Sequence, residues 1–360
     1  DAKAADTPEK RRGVGIAWGG FNVTEGGGDS AEVALELMPG NKIRKYDTWH
    51  AMGQGATTGS LVVTLEALKE MHLTPEDIQL IQNDTKTCPD TGMAGASRSL
   101  YMDGNATIIA ANKLLAAMRK EDGTLRSYDE MKAEGIETKY LGRYETNTTP
   151  GLCRLDPNTG IGDPTPAFTY CLNLAEVEVD TKTGKTTVLK FTCVDFVGRI
   201  GNIDAVNGQA YSGIMHGIGF ALKEDYADVK KHANMFGAGT SYIKDVPDDI
   251  NLIHIDGAIS DGPFGSSGAS EAFQASGHCA VLNGIYNACG VRIHEIPALP
   301  EKVKAGLDAI AKGEKPYEPK KYFLGSDMYE ELENIKENPV QVGTQSFYVS
   351  LDDPTAERPF

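Results

Sequence analysis

The sequence predicts an α+β fold, two α/β-mixed subdomains followed by an extended tail, on three observations. Helical and strand patterns mix along the 360 residues without strict βαβ alternation, which argues against a doubly wound sheet. Residues 167–197 read as a β-hairpin: Val177 and Val179 alternate with Glu176, Glu178 and Asp180, and Thr181-Lys182-Thr183-Gly184 turns the chain into a second alternating strand. Glycine is in excess, 40 of 360 residues, aperiodic and clustered in short loops, as expected where backbone comes close to something. The division expected is 1–165, 166–312 and a tail 313–360.

In chain order, residues 1–12 are polar and read as a tether, followed by an apolar stretch from Gly13 to Trp18 and the run Gly26-Gly27-Gly28. Ala31–Met38 alternates as a strand, and Pro39-Gly40-Asn41 turns it into a second strand over Lys42–His50. A helix is expected over 60–71, with Leu61, Leu65 and Leu68 on one face. Thr74-Pro75-Glu76-Asp77 carries helix-start signals and makes one turn before a strand at Ile78–Gln82. A helix over Asn105–Arg119 should turn Ile108, Ile109, Ala111, Leu115 and Met118 inward; residues 120–165 read as irregular. The helix Ala205–Leu222 contains Gly208, Gly213, Gly217 and Gly219, each costing roughly 1 kcal/mol against Ala, so something must pack close to it. A short strand at Leu252–Ile255, a helix Ala272–Cys289, a strand at Val291–Ile293 and a helix Pro300–Ala311 complete the reading.

Composition narrows the function. Acidic residues outnumber basic ones 51 to 35, a net charge of −16, which disfavours nucleic acid and anionic membrane as partners. No run approaches the ~18–20 apolar residues of a spanning helix, and no secretory leader is visible. The chain begins at Asp1, so a trimmed piece of a longer polypeptide is expected. The six cysteines form no C-x-x-C and have no His at metal-ligand spacing. That argues against zinc or cluster ligation by this chain and fits reduced thiols in a cytoplasmic protein.

Four segments could carry chemistry. Gly53-Gln54-Gly55 offers an amide donor and acceptor between close-approach glycines, suited to a heterocycle, or is an ordinary tight turn. Gly92–Ser99, with Arg98, is either a diphosphate cradle without P-loop spacing or a Gly/Ser loop with a surface arginine. Gln209 opens the glycine-laden helix and by itself reads as packing. Glu271 follows a Gly/Ser-rich loop at a helix start, as a general base or a first-turn charge. The Gly-Ala-Ser segments at 95–97 and 268–270 lack the last glycine of a nucleophile elbow.

In this order the segments resemble the C-terminal part of the molybdenum-binding subunit of the xanthine oxidase/aldehyde oxidoreductase family. They are similar above all to the bacterial aldehyde oxidoreductases that use molybdopterin cytosine dinucleotide. The resemblance runs from about Arg11 to Ala311 and also rests on Gly13-Val14-Gly15-Ile16-Ala17, Asn105-Ala106, Asp261-Gly262-Pro263-Phe264-Gly265 and Gly290-Val291-Arg292-Ile293. It implies a cofactor cleft between the two subdomains. It makes Glu271 the catalytic base and Gly53, Gln54, Gly55, Gly95, Ala96, Ser97, Arg98, Ser99, Gln209, Gly268 and Ala269 cofactor-binding. Phe21 falls near a substrate-pocket position, and His216 could line the site or fill space. No residue would bind the metal directly, since the pterin holds it. Ser270 and Phe273 depart from the family's usual Gly and Pro. The implied reaction is oxidation of an aldehyde, or hydroxylation of an N-heterocycle, with water as oxygen source. Other subunits, or a missing N-terminal half, would carry [2Fe-2S] clusters, with or without FAD. Rival readings are a non-catalytic assembly subunit with the same fold, a purine or nicotinate-type dehydrogenase, and a generic nucleotide-binding enzyme using residues 92–99.

Overall fold

The strand that opens the chain, β1 (Lys10–Val23), pairs antiparallel with β6 (Ala167–Asp180) along its whole length. In the computed structural model, which describes residues 2–24, 28–82, 84–146, 159, 162, 165–314 and 337, β6 continues into β7 (Thr186–Phe196) through the expected hairpin. β8 (Asp249–His254) adds parallel to β7, giving a four-stranded sheet in the order β1-β6-β7-β8. The other sheet has the order β4-β3-β2-β5, from Ile78–Ile81, Lys42–Tyr46, Ser30–Met38 and Lys139–Glu145.

Each sheet is backed by helices. α1 (Ala56–Ala67) and α2 (Ser99–Met118) lie with the β4-β3-β2-β5 sheet, where Leu35, Leu37, Ala110 and Leu114 are fully buried. Against the other sheet pack α4 (Ile203–Leu222) and α6 (Gly277–Cys289), burying Val177, Phe191, Ile214 and Val281. The inner face of β1 carries glycine because α6 crosses it at backbone distance. A Cβ on Gly15 would stand 2.0 Å from Ala280 O, and one on Gly13 2.3 Å from Ala288 N. The Gly13-x-Gly15 pair is therefore a helix-on-sheet contact. Outward on the same sheet, Val14, Ile16, Trp18, Phe168 and Tyr170 are exposed, with Trp18 stacked on Tyr170 at 5.6 Å.

The structure revises several expectations. Residues 10–12 are no tether: they begin β1, and Lys10 and Arg12 both reach Glu178. The helix expected over 60–71 spans 56–67, and its buried residues are Ala56, Ser60, Val63 and Thr64. α2 starts six residues before Asn105, because Tyr101 and Met102 bury completely, whereas Ile108 and Ile109 are only half-buried. The stretch read as irregular contains α3 (Tyr128–Ala133), capped by Ser127 and Glu130, and strand β5. The helix 272–289 is broken into α5 (Ser270–Gln274) and α6, where the Ser276 hydroxyl accepts from Asn173 Nδ2 at 3.0 Å. Val291–Ile293 is not a strand; α7 (Pro300–Ala311) forms as expected.

All these elements belong to one unit, Asp1–Pro316. We propose the 165/166 division in amended form, with β1 assigned to the second subdomain, because its strand partner is β6. Of the expected tail, only Gly313, Glu314 and Glu337 lie within the described residues, and Gly26-Gly27 lies outside them. No described helix is long and apolar enough to cross a membrane.

Candidate active site

A cleft of about 670 Å3 opens between the two sheet-and-helix layers. One wall is the turn from Trp49 to Ala56, the start of α1 and the loop 94–100; the other is 197–209 together with the loop 263–271. Of the residues expected to form the site, Gln54, Gly55, Gly95, Ser97, Ser99 and Gln209 line it, as do Gly268, Ala269 and Glu271.

The two walls meet at Ser97 and Gly268. A Cβ on Gly268 would lie 1.7 Å from the carbonyl oxygen of Ser97, so the loops touch backbone to backbone. Just beyond this contact the Ser97 hydroxyl donates to the Glu271 carboxylate, and the Glu271 backbone N–H reaches Ser97 Oγ at 3.4 Å. Ser97 itself is held with φ +50, beside Ala96 at φ +51, whose carbonyl accepts from Thr24 N–H at 3.2 Å. Glu271, half-buried in the first turn of α5, thus has its carboxylate aimed from across the cleft.

Gln209 is placed by the glycines of α4. A Cβ on Gly213 would lie 2.5 Å from Phe273 Cβ, and one on Gly217 3.0 Å from Gly277 Cα. This close crossing brings Gln209, one turn earlier, beside Ser270, whose hydroxyl donates to Gln209 Oε1 at 2.6 Å. Both departures from the family pattern, Ser270 and Phe273, therefore sit at one α4–α5 contact. With Oε1 occupied, the Gln209 amide presents its N–H donors elsewhere.

Gln54 is partly spent on its own turn: its Nε2 donates to His50 O at 2.6 Å, and Met52 N–H donates to its Oε1 at 2.5 Å. Behind that wall, buried Lys45 pairs with Asp103 at 2.7 Å and Asp47 at 3.2 Å. Asp47 also accepts from Ser60 Oγ at 2.7 Å and Gln82 Nε2 at 2.6 Å. Burial pushes the Asp103 carboxyl up to about 6, against the opposing pull of Lys45.

Some expected site residues lie elsewhere. Arg98 is 3% exposed and does not line the cleft. Its Nε and one terminal nitrogen each donate to Asp29 at 2.7 Å, and the remaining donors go to the carbonyls of Ser30, Thr91 and Met93. All five N–H groups are used within the fold, so Arg98 pins the 91–99 loop and has no donor left for a ligand. Phe21 lies on β1 opposite Thr169, outside the lining, and so do Gly53 and Ala96, which only flank lining residues. His216 is exposed and shares a 3.0 Å hydrogen bond between its Nδ1 and Gln274 Oε1, away from the cleft.

Sequence reasoning missed Trp49, Arg199, Asn202, Ser266 and Ser267, all of which line the cleft. The signal was there in Gly198-Arg199-Ile200-Gly201-Asn202, a turn between hairpin and helix. Asn202 caps α4 by accepting from Ala205 N–H at 3.0 Å.

Comparison with known proteins bears on this geometry. A family model described as molybdopterin cofactor-binding domain matches residues 1–247. The chain is 40% identical over 308 residues to an aldehyde oxidoreductase of Megalodesulfovibrio gigas, covering 86% of this chain and 34% of that protein. It is 28% identical over 289 residues to a probable hypoxanthine oxidase of Escherichia coli, covering 72% of this chain and 29% of that one. The crystal structure of the aldehyde oxidoreductase from Desulfovibrio desulfuricans superposes with a TM-score of 0.80 at 43% identity, over 84% of this chain and 33% of that one. The chain thus spans about a third of the length of these relatives.

Proposed function

Since this chain belongs to the molybdopterin-binding family of xanthine oxidase and aldehyde oxidoreductase type, we propose that it forms the base-bearing wall of a molybdenum hydroxylase that oxidises an aldehyde to a carboxylic acid, with water as oxygen source. The observation that carries this reading is Glu271, set on a cleft wall and aimed by Ser97 from the opposite one. The aldehyde is favoured over a heterocycle by the 40% identity to an aldehyde oxidoreductase, against 28% to a probable hypoxanthine oxidase.

The residues fit the cofactor. Gly55 and Gly95 leave room at the cleft wall, with nothing nearer than 3.7 Å to a Cβ placed on either. Ser267, 5% exposed, lines the cleft, and its buried hydroxyl has no hydrogen-bond partner among the described residues. When bound, the molybdenum–pterin group supplies the two-electron oxidation of the substrate carbon. The chain's share is orientation and proton handling. Glu271 takes the proton from the water-derived oxygen as it adds to the carbonyl carbon, and Ser97 keeps the carboxylate facing that point. Gln209, its amide turned by Ser270, offers N–H donors. Val62, Val63, Leu100, Ile200 and Val206 give part of the cleft an apolar lining.

The proposal extends to the cytosine dinucleotide form of the cofactor and to [2Fe-2S] clusters, with or without FAD, on domains or partner chains outside this chain. It also places the assembly in the cytoplasm. The test is the assembled complex carrying Glu271→Gln. Turnover of an aldehyde should fall by roughly 10²–10⁴-fold, with molybdenum per chain unchanged. Undiminished turnover in that variant would overturn the assignment. A wild-type complex without stoichiometric molybdenum would instead support the non-catalytic assembly subunit.

A further inference from the structure

One wall of the cleft is made largely by two loops, and the bases of both converge on one buried cation. The first loop, residues 48–59, supplies Trp49, Gln54 and Gly59 to the lining; the second, residues 94–100, supplies Ser97, Ser99 and Leu100 and runs into α2. Behind them stands Lys45, near the end of β3. Its side chain is fully buried, and lysine is almost never buried unless its charge is paired. The ammonium donates to Asp103 Oδ1 at 2.7 Å and stands 3.2 Å from Asp47 Oδ2. None of the three residues lines the cleft.

Asp47 clasps the first loop. It accepts from Ser60 Oγ at 2.7 Å, just past the loop's far end, and from the Trp49 N–H at 3.2 Å within it. Gln82 tightens the clasp: its Nε2 donates to Asp47 Oδ1 at 2.6 Å and to Trp49 O at 3.3 Å, and its Oε1 accepts from Thr57 Oγ1 at 3.2 Å. The Trp49 indole is thereby seated against Gly59, where an added Cβ would come within 3.1 Å of the ring, and the Lys45 ammonium is 5.9 Å from the ring centre. Asp103 anchors the second loop. It lies one turn into α2 after Ser99, and Thr107 Oγ1 donates to it at 3.3 Å. Without the ammonium, the two bases would face each other as buried carboxylates with nothing to draw them together.

We propose that Lys45 is a positioning residue of this cleft. By joining Asp47 to Asp103 it fixes the spacing between the turn that carries Gln54 and the loop that carries Ser97, and with it the point toward which Glu271 is aimed. Apolar side chains could fill the same space at little cost in stability, but they could not draw a strand end and a helix start onto one point. The role in turnover rests on the proposed function, whereas the order of the wall is read without turnover.

The experiment compares the assembled wild-type complex with Lys45→Met, Lys45→Arg, the double variant Lys45→Met/Asp103→Asn, and Met131→Ala. Met131 is fully buried on α3 and does not line the cleft, so its truncation lowers stability without touching the network. Amide hydrogen exchange is followed by mass spectrometry in peptides spanning 48–60 and 94–100, alongside urea unfolding and kcat and KM for an aldehyde. Lys45→Met should speed exchange in both segments by roughly tenfold. It should lower kcat by roughly 10²-fold, with KM moving less. Lys45→Arg should recover part of both, since it keeps the charge. The double variant removes one of the carboxylates left unpaired; it should regain the unfolding midpoint and keep the fast exchange and the low kcat. Met131→Ala should lower the midpoint and leave kcat and exchange in the two segments near wild type. Wild-type exchange in both segments of the double variant would overturn the role, as would a wild-type kcat despite fast exchange, or Met131→Ala reproducing the Lys45→Met pattern. If the wild-type complex oxidises no aldehyde, the proposed function fails, and the exchange rates still decide whether Lys45 holds the wall.

Discussion

Replacing Gly268 by Ala puts one methyl group where two loops already touch. The added Cβ would stand 1.7 Å from Ser97 O, and Cβ contacts below 3.0 Å are essentially never seen, so the loops must part by at least about 1.3 Å. The obstacle is backbone, with no flexible side chain to move aside. Overpacking of this kind costs about 1–3 kcal/mol of stability. The functional effect should be larger, because the contact lies beside the Ser97–Glu271 hydrogen bond. A misplacement of about 1 Å at a catalytic group lowers rate by roughly 10²-fold. The assay is aldehyde turnover per molybdenum in the assembled complex, alongside urea unfolding of the same sample. Ser97→Ala serves as the reference: it removes the hydrogen bond without the clash and should cost rate with little stability. A Gly268→Ala complex with wild-type unfolding midpoint and wild-type turnover would show that the loops do not meet as described and that Glu271 is not aimed from this contact.

Further outcomes follow from the same geometry. Ser270→Ala should release the Gln209 amide and change kcat/KM for an aldehyde by about fivefold, the worth of one neutral hydrogen bond; Ser270→Thr should restore it, and a purely structural Ser270 would move the unfolding midpoint and leave kcat/KM alone. Arg98→Met should cost about 3 kcal/mol or more in urea unfolding, because it removes the cation paired with Asp29, which keeps only the Thr24 hydroxyl as a side-chain donor among the described residues, and the arginine donors to three carbonyls. Burial pushes the Asp103 carboxyl up to about 6, above the ordinary carboxylate range, so its protonated form is favoured by folding. Its contribution to stability is full below pH ~4 and is lost as pH rises toward ~6; unfolding curves of Asp103→Asn across that window should lack this decline, and identical pH profiles for the two proteins would contradict it.

The hairpin β6–β7 was legible because its alternation of Val and Glu matches a sheet with one buried face. The helices α4 and α7 were legible, and Gly213 and Gly217 of α4 mark a close neighbour, α5 and the start of α6, whereas Gly208 has nothing within 4 Å of an added Cβ. Strand β5 was not legible: Lys-Tyr-Leu-Gly-Arg-Tyr-Glu has no apolar alternation, and it is made a strand by pairing with β2. At the break between α5 and α6, Ser276 accepts from Asn173, more than a hundred residues upstream, a contact no local pattern shows. At the site, Glu271 and the glycine turns stood out through their order along the chain, and Glu271, Gly55, Gly95 and Gly268 line one cleft, whereas the placement of Arg98 was not legible. Its partner Asp29 is 69 residues away, and no local spacing tells a ligand-facing arginine from one consumed by the fold. The pairing of Ser97 with Glu271, 174 residues apart, is likewise visible only once the two walls are brought together.

The first strand of the sheet has two sides governed by different rules. Toward α6 it is bare backbone, and at Gly13 and Gly15 not even a methyl can be admitted. Toward the outside it carries Val14, Ile16 and Trp18, none of which the packed interior needs. In this chain taken alone, polar residues fit at Val14, Ile16 and Trp18, while Gly13 and Gly15 beside them admit no side chain.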